Sequence, residues 1–153
     1  MPVTLDDDAR QYLAAFEDVT GVPGQDCLLI GDGTDDATNG SNTDAERLLI
    51  VVSSGRMGEA IGPDGRTVTQ YQERVGVPVR LVEDADDPEA FVANTLAPAA
   101  VYNVTISEND DTVAYVEVAE DDRGVAIGSN GRTIDAARRL AKRHFAIDDI
   151  QLL

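Results

Sequence analysis

The sequence predicts an α+β fold of two similar units, each with the element order α-β-β-α-α-β and a three-stranded sheet packed against helices. One observation is an internal repeat: residues 57–68 return as residues 123–134, with Ala-Ile-Gly and Gly-Arg-Thr kept in both copies. A second is that helical and alternating apolar patterns follow the same order in both halves. The length of 153 residues suits two small domains, which we expect at 1–85 and 86–153.

The elements predicted for the first unit are separated by turns that contain glycine or proline. The opening helix has apolar residues at helical spacing, and Gly21 and Pro23 end it. A polar connection rich in Gly, Asp and Asn then joins two strands. A short and a long helix flank the sequence Gly-Pro-Asp-Gly at 62–65. The predicted bounds are 5–20 for the first helix, 27–30 and 47–52 for strands, 55–61 and 66–75 for helices, and 79–82 for the last strand.

The second unit repeats this order around a second Gly-x-x-Gly loop, Gly-Ser-Asn-Gly at 128–131. Pro98 ends its first helix, and two alternating strands with a polar turn between them follow. The predicted bounds are 88–96 for the first helix, 101–107 and 113–118 for strands, 121–127 and 132–145 for helices, and 147–152 for the last strand.

Acidic side chains dominate the composition. The 29 acids, 20 of them Asp, exceed 12 basic side chains, so the formal net charge is −17, and Lys142 is the single lysine. This pattern is typical of adaptation to molar salt, where carboxylates hold water and cations. At about 1 M salt the Debye length is roughly 3 Å, so the charge repels much less than its size suggests. An acidic nucleic-acid mimic or a disordered tail is less favoured, because the acids are scattered through periodic, apolar-rich segments.

Several classes of function find no support in the residues. No apolar run approaches the roughly 18 residues of a membrane helix, and the start lacks a secretory signal. Cys27 cannot form an internal disulfide and fits a reducing cytoplasm, so we expect a cytoplasmic protein. The lone His144 suits a packing or capping role better than a metal site, and the acids at 32–36 suit a hydrated turn better than a calcium loop. No phosphate-binding P-loop or catalytic triad can be assembled, so we expect no enzyme, no cofactor, no metal and no small-molecule substrate.

The two glycine-framed loops are the candidate functional sites. Terminal glycines let the backbone turn sharply and approach a ligand closely. The following helix aims unpaired N–H groups and its positive dipole end at the loop, which suits a phosphate. Four nucleotides of single strand can cross such a loop with their bases against the apolar short helix and the adjoining strand. In the first unit the candidate RNA-binding residues are Ile61, Gly62, Pro63, Asp64, Gly65 and Arg66.

Basic residues enlarge the candidate site of the second unit. Its long helix carries Arg138 and four further basic side chains, almost half of the chain's total. The alternative is that these charges lie on a solvated helix face and offset nearby acids. The candidate RNA-binding residues of this unit are Arg123, Ile127, Gly128, Ser129, Asn130, Gly131, Arg132, Arg139, Lys142 and Arg143.

Both Ala-Ile-Gly-x-x-Gly copies and the element order resemble type II KH domains, and the tandem is similar to the archaeal NusA family of transcription factors. The resemblance covers nearly the whole chain, including the segments 96–99, 113–118 and 141–149. It implies single-stranded RNA binding in transcription elongation or termination, with RNA polymerase as a partner. Together with the salt-adapted composition, it implies a haloarchaeal source.

The two loops depart from the family pattern, and they do so differently. KH loops commonly carry a basic residue between the glycines, and neither loop does. Pro63 lacks a backbone donor and Asp64 places a carboxylate where a phosphate would pass, whereas Ser129 and Asn130 are neutral and keep their N–H groups. We hypothesise that the second unit makes the principal RNA contacts, while the first contributes weakly or serves as scaffold. The alternative is a KH-fold module that docks onto RNA polymerase or another assembly with little RNA contact. The acidic first loop favours that alternative.

Overall fold

The computed structural model describes residues 7–30 and 47–153, and the chain divides into two compact units between Asp84 and Ala85. The predicted α+β class and the order α-β-β-α-α-β are confirmed in both units. The first unit contains α1 (Asp7–Thr20), β1 (Gly24–Ile30), β2 (Arg47–Val52), α2 (Met57–Ile61), α3 (Arg66–Val75) and β3 (Val79–Glu83). The second contains α4 (Pro88–Thr95), β4 (Val101–Glu108), β5 (Thr112–Val118), α5 (Arg123–Ile127), α6 (Arg132–Phe145) and β6 (Asp149–Leu152). The predicted polar connection, with its acids at 32–36, and the first two residues of the predicted opening helix lie outside the described residues.

Each unit has a three-stranded sheet with the middle strand second in chain order. In the first sheet β2 lies between antiparallel β1 and parallel β3, so that Leu49 is opposite both Leu28 and Arg80. In the second sheet β5 lies between antiparallel β4 and parallel β6, with Tyr115 opposite Thr105 and Gln151. The parallel third strand requires a crossover, which the helix pair α2–α3 or α5–α6 provides. The loop between those helices is therefore part of the crossover.

The apolar face of each helix covers one face of its own sheet. In the first unit Phe16 of α1 contacts the ring of Tyr71 edge-on, with 5.1 Å between ring centres, and the Tyr71 hydroxyl donates to the Tyr12 carbonyl at 2.8 Å. Burial raises the pKa of Tyr71 above its ordinary value. In the second unit the ring of His144 lies 5.0 Å from that of Phe91, the packing role expected from the sequence. Buried members of the second core include Val92, Leu96, Ala114, Val116, Ala137, Ile147 and Ile150.

The ends of several elements differ from the predicted bounds for local reasons. Both short helices begin later than expected: Gly55 has a φ of +79°, and Glu120–Asp122 form a separate 3₁₀ turn before α5. The last strand starts at Asp149 because Ala146 adopts a left-handed φ of +56° and Ile147 turns into the core. None of the helices within 7–30 and 47–153 has the length and apolar character needed to cross a bilayer. Across those same ranges, the acids, His and Cys do not gather into any group suited to metal binding.

Candidate nucleic-acid interface

The two Gly-x-x-Gly loops have the same backbone conformation. In each, the short helix ends at the first glycine, a single 3₁₀ turn follows, and the long helix begins directly after the second glycine. Three of the four loop residues have positive φ, including Asp64 and Asn130, residue types that tolerate this region better than most. The φ/ψ angles of the first glycine are 77°/174° at Gly62 and 79°/167° at Gly128. Those of the third loop residue are 54°/27° at Asp64 and 58°/26° at Asn130. Those of the second glycine are 73°/14° at Gly65 and 73°/16° at Gly131.

The first glycine of each loop is required by space as well as by conformation. A Cβ on Gly62 would lie 2.1 Å from Thr67 Oγ1, and one on Gly128 would lie 2.4 Å from Thr133 Oγ1. The second glycines are less confined: a Cβ on Gly65 would meet nothing within 4 Å. The threonine in the kept sequence Gly-Arg-Thr therefore packs against the entry of the loop. Sequence reasoning did not assign this role to the threonines, although their repetition was visible.

Free backbone donors distinguish the second loop from the first. The Gly131 N–H donates to the Gly128 carbonyl at 3.1 Å, and the Arg132 N–H donates to the Ser129 carbonyl. The N–H groups of Ser129 and Asn130 have no acceptor among residues 7–30 and 47–153. In the first loop the corresponding positions offer only the N–H of Asp64, because Pro63 has none. The second loop thus presents two donors to an anion, and the first presents one donor beside a carboxylate.

The exposed face of the short helix is also less charged in the second unit than in the first. In α5, Val125 is 43% exposed and Ile127 is 39% exposed. In α2, Ile61 is also 39% exposed, but Glu59 takes the position of Val125 and forms an ion pair with Arg56 at 2.5 Å. The hydrogen bond from Arg56 lowers the pKa of Glu59, so this carboxylate stays ionised. The exposed side chains beside the second loop, Val125 and Ile127, are both apolar. Beside the first loop one is apolar, Ile61, and the other is the charged Glu59.

The basic residues of α6 separate into two groups. Arg138 contacts Asp149 at 2.9 Å and Asp135 at 3.3 Å, and Lys142 contacts Asp148 at 2.5 Å. These two side chains fit the alternative given in the sequence analysis, in which the basic charges of the helix offset nearby acids. The acids here are in β6 and in the turn before it. Arg132, Arg139 and Arg143 are spaced by seven and four residues, which places them together along another face of the helix.

The arginines that open the two long helices have different surroundings. Arg66 Nη2 lies 3.9 Å from the Asp64 carboxylate, and both side chains are largely exposed, so this pair is weak. Arg132 Nε is buried without a hydrogen-bond partner in the described part of the chain. A cation at a helix N-terminus is unfavourable unless an anion is nearby. Both positions favour an external anion, but the first loop carries its own carboxylate.

The structure brings together most of the residues predicted for the second site. Ile127, the four loop residues and Arg132 are continuous across the α5–α6 junction. Arg123 opens α5, and its guanidinium donates to the Leu153 carbonyl, so part of its hydrogen-bonding capacity is taken up within the unit. Lys142 lies more than two helical turns beyond Arg132 and is ion-paired. Val125 belongs to this surface but was not predicted. The repeat could have indicated it, because Val125 is the position equivalent to Glu59 of the first unit.

A three-stranded mixed sheet, covered on one face by helices and crossed through a short helix, a Gly-x-x-Gly loop and a long helix, defines the type II KH class. The chain contains two such units in tandem. Residues 88–152 match the family model described as the NusA-like second KH domain.

Comparison with known proteins places the chain within a family of this class. It is 54% identical over 152 residues to the probable transcription termination protein NusA of Halococcus morrhuae and 51% identical over 152 residues to that of Halobacterium salinarum, covering 99% of both sequences in each case. The crystal structure of APE1850 superposes with a TM-score of 0.76 at 27% identity, over 97% of this chain and 100% of that one. The chain belongs to the NusA family. The haloarchaeal relatives accord with the salt-adapted composition.

Proposed function

We propose that the protein binds single-stranded RNA during transcription elongation or termination, alongside RNA polymerase, and that the loop of the second unit makes the principal RNA contacts. One observation carries the proposal: two loops of the same backbone shape differ in chemistry, and only the second offers two free N–H donors without a carboxylate. The haloarchaeal relatives are named as probable transcription termination proteins, which supports a role in transcription. The protein acts without enzymatic chemistry, as a cytoplasmic RNA-binding factor.

A phosphate fits the second loop for electrostatic reasons. The N–H groups of Ser129 and Asn130 can donate to its oxygens, the N-terminus of α6 adds a positive dipole end, and Arg132 supplies a charge at the same place. The exposed side chains of Val125 and Ile127 lie on the preceding helix, where the bases of the strand would follow. The backbone hydrogen bonds and the apolar contacts persist in concentrated salt, because they depend little on counterion release, whereas the contact of Arg132 weakens.

An exchange of the two loop sequences tests the assignment. The variant Ser129→Pro/Asn130→Asp gives the second loop the chemistry of the first, and the first loop demonstrates that this backbone accepts Pro and Asp. Loss of a charge-assisted hydrogen bond worth about 1.5–3 kcal/mol predicts a ten- to hundredfold weaker affinity, before repulsion by the new carboxylate. The measurement is binding of random single-stranded RNA in molar potassium chloride, with circular dichroism as the check on folding.

The reciprocal variant is the matched control. Pro63→Ser/Asp64→Asn gives the first loop the chemistry of the second and should strengthen RNA binding or leave it unchanged. If the exchange in the first loop weakens binding more than the exchange in the second, the ranking of the two units is wrong.

The second candidate function is a docking module for RNA polymerase or another assembly, with little direct RNA contact. The ion pair of Arg56 and Glu59 and the carboxylate of Asp64 favour it for the first unit, because they oppose a phosphate. If the parent protein binds no single-stranded RNA in molar potassium chloride but binds purified RNA polymerase, the docking function replaces the RNA-binding one.

A further inference from the structure

A groove in the second unit lies between the start of α4 and the start of β4, with a volume of about 520 Å³. Asp87 and Glu89 supply its carboxylates, Ala93 and Val104 part of its apolar surface, and Tyr102 an aromatic ring. Because β4 is at the edge of its sheet, no further strand of that sheet closes the groove. Neither the Gly-x-x-Gly loop nor the short helix before it contributes a residue to the lining, so this surface is separate from the candidate RNA site.

Tyr102 is the one exposed aromatic residue in the described ranges. The chain has four Tyr and three Phe residues, all of them within 7–30 and 47–153. Three are fully buried, three are partly buried, and Tyr102 is 70% exposed. An aromatic ring left in water forfeits a large gain from burial, and Tyr is enriched where proteins bind their partners. The exposure of Tyr102 therefore indicates an interaction surface.

A β-bulge sets the position of Tyr102. Between the pairs Val101–Val118 and Asn103–Glu117, β4 has one residue more than β5, and that residue is Tyr102. Bulges bend the strand locally and redirect a side chain, and they are frequent at sheet edges and beside functional sites. The bulge thus places the ring beside the carboxylates at the start of α4 instead of within the regular alternation of the strand.

The first unit has the same bulge with a different residue. There Gln25 is the extra residue of β1, and its side-chain amide donates to Ser53 Oγ at 2.7 Å, so its polar group is satisfied within the unit. The bulge itself therefore does not require an aromatic side chain. Strand geometry explains the position of Tyr102, but it does not explain the ring.

The two carboxylates of the groove lie close to each other. Asp87 caps α4 by accepting a hydrogen bond from the Ala90 N–H at 3.0 Å. A hydrogen bond with Asp87 and, secondly, the charge of Asp87 raise the pKa of Glu89. A cation in contact with both groups would relieve their repulsion. At about 1 M salt the Debye length is roughly 3 Å, so only a cation that touches them has this effect.

We propose that this groove binds an arginine side chain from a basic segment of a partner protein. The planar guanidinium can stack on the ring of Tyr102 and donate hydrogen bonds to the carboxylates of Asp87 and Glu89. Its aliphatic stem can lie against Ala93 and Val104. Arginine fits better than lysine, because the guanidinium is flat, stacks on aromatic rings and is more weakly hydrated than an ammonium group.

Two other kinds of ligand fit the groove less well. Carboxylates at its edge would repel the phosphates of a nucleic acid, in contrast to the neutral loop at 128–131. Within the described ranges no third acid, His or Cys joins Asp87 and Glu89, so a metal ion would lack ligands. The inference concerns a second surface of the protein and does not depend on RNA binding at the loop.

The test uses the whole chain labelled with ¹⁵N and an acetylated, amidated peptide, Gly-Ala-Arg-Ala-Gly, in molar potassium chloride. In a nuclear magnetic resonance titration the peptide should shift the amide signals of Ala90, Tyr102 and Asn103 to saturation, and leave those of Ser129 and Asn130 in place. Peptides with lysine or norleucine at the centre are the comparison. The lysine peptide should bind about threefold more weakly, and the norleucine peptide should cause no saturable shift.

Two variants of the groove and one control complete the experiment. Tyr102→Gln introduces the residue type that the first bulge carries, and it should weaken the arginine peptide about two- to fivefold. Asp87→Asn/Glu89→Gln should weaken it at least as much, while Asn still caps α4. The control Glu108→Gln/Asp110→Asn removes the same charge at the far end of β4 and should leave the affinity unchanged. Circular dichroism checks that each variant is folded.

The remaining outcomes overturn the proposal. If the arginine peptide causes no saturable shift, or if both groove variants bind it as the parent does, the groove is not an arginine site. If single-stranded RNA shifts the Tyr102 amide and Tyr102→Gln weakens RNA binding, the ring belongs to the nucleic-acid surface and the partner class is wrong. These results are independent of the loop exchanges at 129–130, so the groove and the proposed RNA-binding function can fail separately.

Discussion

Replacement of Gly128 by alanine should destabilise the second unit much more than the same replacement at Gly131. Gly131 is left-handed helical, with φ/ψ of 73°/16°, so alanine there incurs roughly 1–2 kcal/mol of backbone strain. Gly128, at 79°/167°, lies in a region that is essentially restricted to glycine, where the strain is about 1–3 kcal/mol. Only at 128 does the new methyl group also collide with the chain, at 2.4 Å from Thr133 Oγ1 and 2.8 Å from both Thr133 Cβ and N. Overpacking of this kind costs about 1–3 kcal/mol. The expected loss is therefore about 2–6 kcal/mol for Gly128→Ala and about 1–2 kcal/mol for Gly131→Ala.

Denaturation with guanidinium chloride, followed by circular dichroism, measures the two losses from the shift in midpoint at constant slope. Gly62→Ala is the control in the first unit, where a Cβ would lie 2.1 Å from Thr67 Oγ1, and its loss should match that of Gly128→Ala. Addition of Thr133→Ala to Gly128→Ala should restore stability only in part, because the Cβ and the backbone nitrogen of residue 133 remain close. Equal losses for Gly128→Ala and Gly131→Ala would refute the steric part of this reasoning, since Thr133 would then yield at no cost.

Two further predictions concern salt and pH. We expect Arg132, Arg139 and Arg143 to be the phosphate contacts of α6. Each phosphate contact on a single strand contributes about −0.7 to the slope of log affinity against log salt concentration, so the slope should be no steeper than about −2. A slope of about −5 in a salt titration would contradict this prediction. Lys142 and the Thr112 N–H hold the pKa of Asp148 below its ordinary value, so its stabilisation is present above about pH 4 and disappears as pH falls through the folded pKa. Asp148→Asn should flatten the loss of melting temperature below pH 4, and an unchanged pH profile would argue against the Lys142–Asp148 contact.

Glycine marked several bounds of the long helices in the sequence. The structure has α3 at Arg66–Val75, between Gly65 and Gly76, and α6 at Arg132–Phe145, directly after Gly131, both as predicted. The bounds of β2, Arg47–Val52, also agree. Other boundaries were predicted less accurately. Ala146 ends α6 in a left-handed conformation that its residue type does not signal, so the last strand was expected two residues early. Asp121 and Asp122, which belong to the turn Glu120–Asp122, were assigned to α5 because a 3₁₀ turn and an α-helix have similar residue patterns.

The loops could be predicted from the sequence, but the distribution of charge around them could not. Glycine spacing and the repeat identified the loop residues directly. The division of basic side chains on α6 depends on Asp148 and Asp149, which follow the helix in the chain and meet it only after β6 has paired with β5. Sequence spacing alone cannot distinguish Lys142, which is ion-paired, from Arg139, which lies exposed on another face. Tertiary contacts therefore decide which cations remain available to a ligand.

Adaptation to salt does not by itself explain why the two loops differ. It adds carboxylates to exposed positions throughout the chain, where acids account for 29 of 153 residues. Residues 57–68 contain two of them, Glu59 and Asp64, whereas residues 123–134, with the same backbone and comparable exposure, contain none. The loop glycines are identical, and the two acids are replaced by Val125 and Asn130, both exposed side chains beside or within the second loop. The absence of acids from residues 123–134 of so acidic a protein is the property expected of the phosphate-binding surface proposed for the second unit.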